Sequence, residues 1–397
     1  MVDEPQNANT IIFQAYNAFE NPDFVKTIWL TMSNKCPHSF FSSWGWISTW
    51  IKSLPSKSDI RFIVGYAGKE PVIAFFFGCK KRKKYGFLPS KILSLNSTAD
   101  PYFDQLYIEY NSMLVDPSIS LNTDILFRFL NSLSWDEFSF PGVSAGFVSG
   151  INLPEKNAGR DFYLSVDETT NCFFVELQKI REAGMDFYKL LSANKRSQIR
   201  RSIKQYEIDG GIQICEAASA EEALSSLDSL AILHQREWQK KGKPGAFSNK
   251  YLYQFHKSLI RDRFDNHEIQ LLHIFNEKMT IGYLYNFVYR NNVYFYQCGF
   301  NYLEENMYRP GLVSHYFAIM HNAMKNMDTY DFLAGDSPYK SSLSTNSMPM
   351  YWVRLIKGRN RFWLEEKVTQ LKLKLRSTPM LENNLKKVRN WFELQKG

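Results

Sequence analysis

The segment "YDFLAGDSPYKSSLS", residues 330–344, places an acid, a tyrosine and a lysine directly after an apolar run. These three residues are Asp336, Tyr339 and Lys340. The apolar run predicts a buried strand, and ligand sites in open α/β sheets lie where such strands end in polar, turn-forming residues. A lysine held there could stabilise negative charge on a phosphate or on a reacting carbonyl. The alternative is an ordinary turn in which Lys340 is a solvated surface charge.

A second candidate site lies in "NMYRPGLVSHYFA", where Pro310 and Gly311 begin an apolar pattern of helical spacing. Proline suits the first turn of a helix, and the free N–H groups of that turn attract phosphate. Arg309 would add a positive charge at the same end. An ordinary helix start is the alternative interpretation.

The stretch "LLSANKRSQIRRSIKQYEIDGG" predicts a helix that is capped by Ser192 and ends before Gly210. Ile199, Ile203 and Tyr206 form a narrow apolar stripe along it. The other positions are strongly basic and include Lys195, Arg196, Arg200, Arg201 and Lys204. This face is a candidate anion-binding surface if it borders the ligand cleft, and a solvated helix face if it does not.

Several classes of protein lack their usual motif in this chain. The seven histidines show no zinc-binding spacing, so no metal is expected. The sequence contains no Gly-x-Ser-x-Gly elbow, no phosphate-binding P-loop and no dinucleotide-binding glycine pattern. Hydrolase, NTPase and dinucleotide-dependent functions are therefore disfavoured.

Cysteine usage and the N-terminal residues favour a cytoplasmic protein. The five cysteines are scattered, without a metal-binding or redox spacing. The first ten residues, "MVDEPQNANT", are acidic and polar, unlike a signal peptide. The longest apolar run, residues 71–79, is too short to cross a bilayer as a helix, so no transmembrane segment is expected.

The formal net charge of +8 favours polyanionic partners, such as phosphate-bearing cofactors, tRNA, acidic carrier proteins or anionic membranes. The basic run Lys80–Lys84 falls where a hairpin turn is expected, which predicts an exposed tip. Two amphipathic helical patterns with basic faces follow residue 361 and allow peripheral membrane contact as an alternative to packing on the protein body.

The order of predicted elements occurs twice. Three β-rich runs start at Arg61, and three more of similar spacing start at Glu268. A helical pattern follows each set, at residues 121–133 and 312–327, and a short apolar run comes next. Repetition of a whole unit predicts two related α/β domains in tandem.

The chain resembles the BioF2-like acetyltransferase group of the GNAT superfamily, which is related to CelD-type and Fem-type transferases. The resemblance covers most of residues 40–360 and rests on the order and spacing of five segments. These are "FFSSWGWISTWIKSL", "LSANKRSQIRRSIKQYE", "LHQREWQKKGKPGAFSN", "GYLYNFVYRNNVYFYQCGFNYLEENMYRPG" and "YDFLAGDSPYKSSLS".

The resemblance implies tandem GNAT-like domains with mixed central sheets and transfer of an acyl group to an amine without a metal. The predicted units are a GNAT-like domain over residues 1–165, a second one with the donor site over residues 166–360, and a helical extension over residues 361–397. Fem-type relatives have an aromatic–lysine pair at the donor site, and here Tyr339 and Lys340 stand at the matching place. Lys340, Tyr339 and Asp336 are the predicted catalytic residues.

The resemblance also indicates the donor. The superfamily's usual pyrophosphate loop has an Arg or Gln followed by two spaced glycines, and here it is reduced to Arg309-Pro310-Gly311. The resemblance implies acyl-CoA or an acyl carrier protein thioester as the donor. The reduced loop disfavours the ordinary geometry of coenzyme A binding and favours an acyl carrier protein or, as the Fem-type alternative, aminoacyl-tRNA. The predicted donor-binding residues are Arg309, Gly311, Arg200 and Arg201.

The acceptor is expected to be a small-molecule or peptide amine, which needs a general base or a water path before it can attack. The candidate bases are His234, Glu237 and His315. Trp238 and Phe247 lie in the segment that forms the acceptor wall in such folds, so we expect them, with His234 and Glu237, to bind the acceptor. A non-catalytic scaffold that binds a polyanion through residues 195–204 is the alternative from another class.

Overall fold

The computed structural model describes residues 11–119, 123–150, 162–305 and 307–376. The strands within these ranges are β1 (Ile11–Asn17), β2 (Ile60–Ala67), β3 (Glu70–Lys84), β4 (Leu88–Leu95), β5 (Leu114–Val115), β6 (Glu137–Ser144), β7 (Phe162–Glu176), β8 (Gln213–Glu216), β9 (Ile269–Phe275), β10 (Thr280–Tyr289), β11 (Asn292–Phe300), β12 (Thr329–Ala334) and β13 (Asn346–Lys357).

The helices in the same ranges are α1 (Pro22–Lys35), α2 (Trp44–Ser53), α3 (Thr123–Ser132), α4 (Ala145–Gly150), α5 (Leu177–Glu182), α6 (Ala193–Glu207), α7 (Ala220–Lys240), α8 (Lys250–Arg263), α9 (Pro310–Met324), α10 (Pro338–Leu343) and α11 (Arg359–Arg376). The predicted cap of α6 is confirmed, since the Ser192 hydroxyl accepts from the Lys195 N–H at 3.3 Å. The predicted proline start of α9 is confirmed as well.

The repeat predicted from the sequence is present in the sheet. In the N-terminal half (β1 to β7), the strands β1 to β4 are antiparallel neighbours, and β4 then pairs in parallel with β6. In the C-terminal half (β8 to β13), the strands β8 to β11 are antiparallel neighbours, and β11 pairs in parallel with β12. The fold is a tandem of two related α/β units with mixed sheets, as predicted.

The two halves exchange their last strands. β13 pairs with β6 of the N-terminal half, whereas β7 pairs with β12 of the C-terminal half. β7 and β13 also pair with each other along the whole of β13. All these strands therefore belong to one continuous sheet, ordered β1-β2-β3-β4-β6-β13-β7-β12-β11-β10-β9-β8, with the small strand β5 beside β3.

One hydrophobic core is shared by the two halves. Trp29 of α1 and Trp46 of α2 belong to the same buried cluster as Phe255 of α8 and Phe287 of β10. Trp46 contacts the rings of both Phe255 and Phe287, with centroids 4.9 and 5.8 Å apart. Separate clusters fill the opposite face of each half. Because burial of aromatic surface is a main source of stability, the shared core holds the halves together.

The predicted domain boundaries remain predictions. Residue 165 lies inside β7, and residue 361 lies inside α11. The second basic helical pattern near the C-terminus falls after residue 376, outside the described residues.

The predicted exposure of the basic run is confirmed for residues 80–83, whereas the predicted place of the hairpin turn is shifted along the chain. These residues form the end of β3, paired with β4, and the turn follows at Tyr85 and Gly86, whose φ angles are 54° and 83°. The Lys84 ammonium donates to the buried carboxylates of Glu137 and Glu365, at 2.6 and 2.5 Å. The last lysine of the run is therefore a structural residue, whereas the four before it are exposed.

We expect Lys84→Ala to lower the free energy of unfolding by roughly 3 kcal/mol. Without the lysine, the buried carboxylates of Glu137 and Glu365 lose one of the positive charges that offset their burial. The neighbouring Lys83 is exposed, so Lys83→Ala should change stability by less than about 0.5 kcal/mol. Urea denaturation of both variants measures the difference, and equal stabilities would contradict the structural role of Lys84.

Candidate functional site

Each half contains a gap between two parallel strands. β11 and β12 pair only at residues 292–294 and 329–331, although both strands continue further. β4 and β6 pair only at residues 92–94 and 137–139 and then separate in the same way. Backbone groups that face such a gap need other hydrogen-bond partners.

The gap in the N-terminal half is filled by the chain itself. The Asn111 amide donates to the carbonyl oxygens of Leu95 and Pro141, both at 3.0 Å, and so bridges the ends of β4 and β6. Its own oxygen accepts from the Asn96 amide at 2.8 Å. Gly142, at φ +63°, lets the loop approach closely, because a Cβ there would lie 2.3 Å from the Ile108 carbonyl oxygen. This bridge narrows the gap, and a smaller cavity of about 220 Å³, lined in part by Ser94 of β4 and Ser139 of β6, lies beside it.

The gap in the C-terminal half opens into a cavity of about 460 Å³. β11 and β12 supply two of its walls, and α7 and α10 supply others. Glu168 and Thr170 of β7 and Trp352 of β13 also line it, together with Tyr107 and Glu109 from the N-terminal half. Residues from both halves therefore meet around one cavity.

Lys340 lies at the wall of this cavity and is almost completely buried. Its ammonium donates to the carbonyl oxygens of Leu333 and Ala334, at 3.2 and 2.6 Å. Left-handed backbone at Leu333 (φ +59°), followed by Gly335 (φ +127°), turns the end of β12 so that α10 can present the lysine there. Burial lowers the pKa of Lys340.

Glu109 is a buried carboxyl in the same cavity wall, supplied by the loop after β4. One carboxyl oxygen accepts from the Ala334 N–H at 2.7 Å. Burial raises the pKa of Glu109 to about 7, while that hydrogen bond and the charge of Lys340 oppose the rise. Sequence reasoning missed this residue, although an isolated acid inside the apolar run "LYIEY" was an available signal.

The next residue in the chain, Tyr110, also connects this loop to β12. Its hydroxyl donates to Asp331 at 2.5 Å, and the same carboxylate accepts from the Leu333 N–H at 2.7 Å. Burial raises the pKa of Asp331 to about 6. Asp331 lines a different cavity, of about 410 Å³, so Glu109 and Asp331 face different spaces.

Tyr339 lines the same cavity as Lys340, whereas Asp336 does not. The Tyr339 ring stacks on His315, with centroids 5.4 Å apart. The exposed Asp336 carboxylate accepts from the Asn171 backbone and side-chain N–H groups, at 3.3 and 3.1 Å, and from the Thr170 hydroxyl at 3.2 Å. Asp336 thus attaches the start of α10 to β7.

His234 and Trp238 of α7 line the cavity as well. The His234 Nε2 accepts from the Ala246 N–H at 3.3 Å, so Nδ1 carries the proton and donates to the Cys298 carbonyl oxygen at 3.1 Å. Both ring nitrogens are therefore engaged with backbone, and burial lowers the pKa of the ring.

The other predicted acceptor-side residues lie behind this wall. Phe247 packs edge-on against His234, with ring centroids 5.2 Å apart. The Glu237 carboxylate pairs with the Lys241 ammonium at 3.1 Å and is not part of the lining. His315 is completely buried, and burial lowers its pKa to about 3.

The predicted donor-binding residues fall into two groups. Arg309 stands at the start of α9, where its backbone N–H donates to Ser202 at 2.9 Å and its guanidinium to Gln198 at 3.1 Å, both on α6. Gly311 lets α9 begin against the end of β11, since a Cβ there would lie 3.1 Å from the Phe300 ring. The first group, Arg309 and Gly311, is therefore next to the gap between β11 and β12.

The second group lies on the outer surface of α6. Arg200 and Arg201 line an open surface groove with Arg196 and Lys204. The Arg200 guanidinium lies over the Tyr188 ring, 4.5 Å from its centroid. These arginines do not line the cavity of Lys340.

Comparison with known proteins agrees with this geometry. Residues 193–341 match the family model of the GNAT acetyltransferase domain. A conserved protein of unknown function from Bacteroides thetaiotaomicron is similar in structure, with a TM-score of 0.53 and 9% identity over 88% of this chain and 100% of that one. FemX is also similar, with a TM-score of 0.51 and 10% identity over 82% of this chain and 95% of that one. No curated protein matches the sequence.

The matched domain and the repeated order of elements define the protein class. The fold is a tandem of two GNAT-like units, and the GNAT acetyltransferase domain matched at residues 193–341 supports an acyltransferase. Across the described ranges, no helix is long and apolar enough to cross a membrane. In the same ranges, no three His, Cys, Asp or Glu side chains are grouped so that they could hold a metal ion.

We expect Asn111→Ala to destabilise the protein by about 2–3 kcal/mol, because it leaves the carbonyls of Leu95 and Pro141 without the donor that bridges the N-terminal gap. Asn266→Ala, at an exposed position, is the control and should be near neutral. Chemical denaturation with circular dichroism measures both. An Asn111→Ala protein as stable as the control would show that the gap does not need this bridge.

Proposed function

We propose that the protein is an N-acyltransferase that moves an acyl group from a thioester donor, acyl-CoA or an acyl carrier protein, to an amine in the cavity between the halves. The observation that carries the proposal is the buried Lys340 at the open gap between β11 and β12, with the Glu109 carboxyl in the same wall. The narrower BioF2-like and CelD-type assignment, and a cytoplasmic location, are part of the proposal. All five cysteines are free, which suits a reducing compartment.

The donor would enter along β11. Past residue 294 this strand has no ladder to β12, so its free edge can pair with the amide groups of the donor's pantetheine arm. The N-terminus of α9, with Arg309 beside it, suits the donor phosphates. The outer arginines Arg200 and Arg201 would contact the remaining negative charge of the carrier.

The chemistry is aminolysis of a thioester. The neutral amine attacks the thioester carbonyl, a tetrahedral oxyanion forms, and the C–S bond breaks to release the thiol and the amide. Lys340 would stabilise the developing oxyanion, and a cation in a buried site does so far more strongly than one in water. Tyr339 would shape the donor side, and Asp336 would position α10 through its bonds to β7.

Glu109 would accept the proton that the ammonium form of the acceptor must lose. A pKa of about 7 suits a general base near neutral pH, because the group is then both available and basic enough. Trp238 and His234 would form part of the acceptor wall, and Phe247 and Glu237 would support it.

The donor assignment predicts the outcome of a binding screen with three proteins: wild type, Lys340→Ala and the control Lys250→Ala at an exposed lysine. The ligands are acetyl-CoA, longer acyl-CoAs, acyl carrier protein and tRNA. Ligand at about 100 times its Kd stabilises a protein by roughly 2.7 kcal/mol, which thermal shift detects. We expect one thioester donor to stabilise the wild type and the control but not folded Lys340→Ala. An equal response of Lys340→Ala would contradict the donor site.

The base assignment predicts a pH profile. For the donor found by the screen and a panel of primary amines, kcat/KM of the wild type should rise as pH increases through about 7, because Glu109 must be ionised. Glu109→Gln keeps an acceptor for the Ala334 N–H but cannot take a proton, so it should lose roughly 100-fold in rate and lose this rise. Asp331→Asn removes a neighbouring buried carboxyl that faces a different cavity and should retain the rise. A persistent rise in Glu109→Gln would exclude Glu109 as the base.

A second donor class is supported by the open basic groove of α6, which would suit the backbone of an aminoacyl-tRNA. Ribonuclease would abolish transfer from such a donor and leave a CoA-dependent reaction intact. A non-catalytic scaffold would instead show salt-sensitive binding of polyanions, including anionic membranes, that is indifferent to Lys340→Ala.

A further inference from the structure

A second cavity, of about 220 Å³, lies in the N-terminal half beside the first one. Tyr107 and Trp352 line both cavities, so the two spaces are neighbours across these side chains. The second cavity has no role in the donor site described above.

Aromatic rings form much of the wall of this second cavity. Trp46 and Trp50 come from α2, Phe103 comes from the loop after β4, and Trp352 comes from β13. Aromatic faces attract cations through the negative charge of their π-systems, and tryptophan does so most strongly.

Asp104 is the one charged residue among the described residues of this wall. Its Oδ1 accepts from the Thr98 N–H at 2.8 Å and from the Thr98 hydroxyl at 2.7 Å, and the Ala99 N–H also stabilises this carboxylate. Within the described ranges it forms no ion pair, and burial raises its pKa to about 6 despite the Thr98 hydrogen bonds. A carboxylate in such surroundings gains from a cationic partner.

We propose that this second cavity binds an alkylammonium group, and that the acceptor is a diamine-type substrate with two amino groups on an alkyl chain. This proposal rests on the proposed function. An anion would be repelled by Asp104, and a purely apolar chain would bury that carboxylate without compensation. An ammonium group is attracted by the carboxylate and by the rings together.

The arrangement of the two cavities gives the substrate its direction. With one ammonium next to Asp104, the alkyl chain would extend past Tyr107 and Trp352, the side chains that line both cavities, into the larger one. The second amino group then reaches the space of Lys340 and Glu109, where it is deprotonated and acylated. The second cavity would therefore select for acceptors that carry a further positive charge.

The test is isothermal titration calorimetry of the protein without a donor. The probes are 1,5-diaminopentane and, as the neutral comparison, 1-pentanol. Asp104→Asn is the informative variant, because its amide oxygen still accepts from Thr98 while the charge is lost. Asp59→Asn, at an exposed acid paired with Arg61, is the matched control.

We expect the diamine to bind the wild type and Asp59→Asn equally, and Asp104→Asn at least roughly tenfold more weakly, with 1-pentanol weak in all three. No binding of the diamine, or equal binding by wild type and Asp104→Asn, would overturn the proposal. Preference for 1-pentanol would instead identify an apolar pocket.

Because no donor is present, this result is independent of the proposed function. If the protein also acylates the diamine, Asp104→Asn should raise KM for the diamine with little change in kcat. A diamine that binds but is never acylated would refute the proposed reaction while leaving the cation site intact.

Discussion

Where two parallel strands separate, their backbone N–H and C=O groups lose their sheet partners and must find other hydrogen-bond partners. The arrangement of this protein depends on which groups supply those hydrogen bonds. In the N-terminal half, the side chain of Asn111 joins the ends of β4 and β6. In the C-terminal half, Lys340 takes two carbonyls at the end of β12 and Glu109 takes an N–H there. The first solution bridges the gap and leaves a small cavity, whereas the second leaves a larger cavity lined by ionisable groups.

The same loop serves both gaps. Glu109, Tyr110 and Asn111 are consecutive, and they contact Ala334, Asp331 and the strand ends of the N-terminal half, respectively. The gap in the N-terminal half is thus bridged by the segment that supplies a carboxyl to the gap in the C-terminal half. This provides a physical reason for keeping two units in one chain, because the C-terminal unit alone would lack Glu109.

The exchange of strands fixes the two halves relative to each other. β7 and β13 run side by side at the centre of the sheet, and each completes the half to which it does not belong. Buried ion pairs between Lys84, Glu137 and Arg354 reinforce the junction of β6 with β13. A site formed by residues of both halves needs such a frame, because small displacements cost catalytic groups their alignment.

Local patterns in the sequence determined most of the elements, their repetition, the cap of α6, the proline start of α9 and the strand end that precedes Lys340. These depend on neighbours in the chain, such as apolar periodicity, turn residues and helix-start signals. Tertiary structure alone decided the exchange of β7 and β13, the burial of Lys84, and the positions and contacts of Glu109, Asn111 and Asp104. Glu109 and Ala334 are 225 positions apart, and a carboxyl acquires a raised pKa only when distant segments exclude water from it.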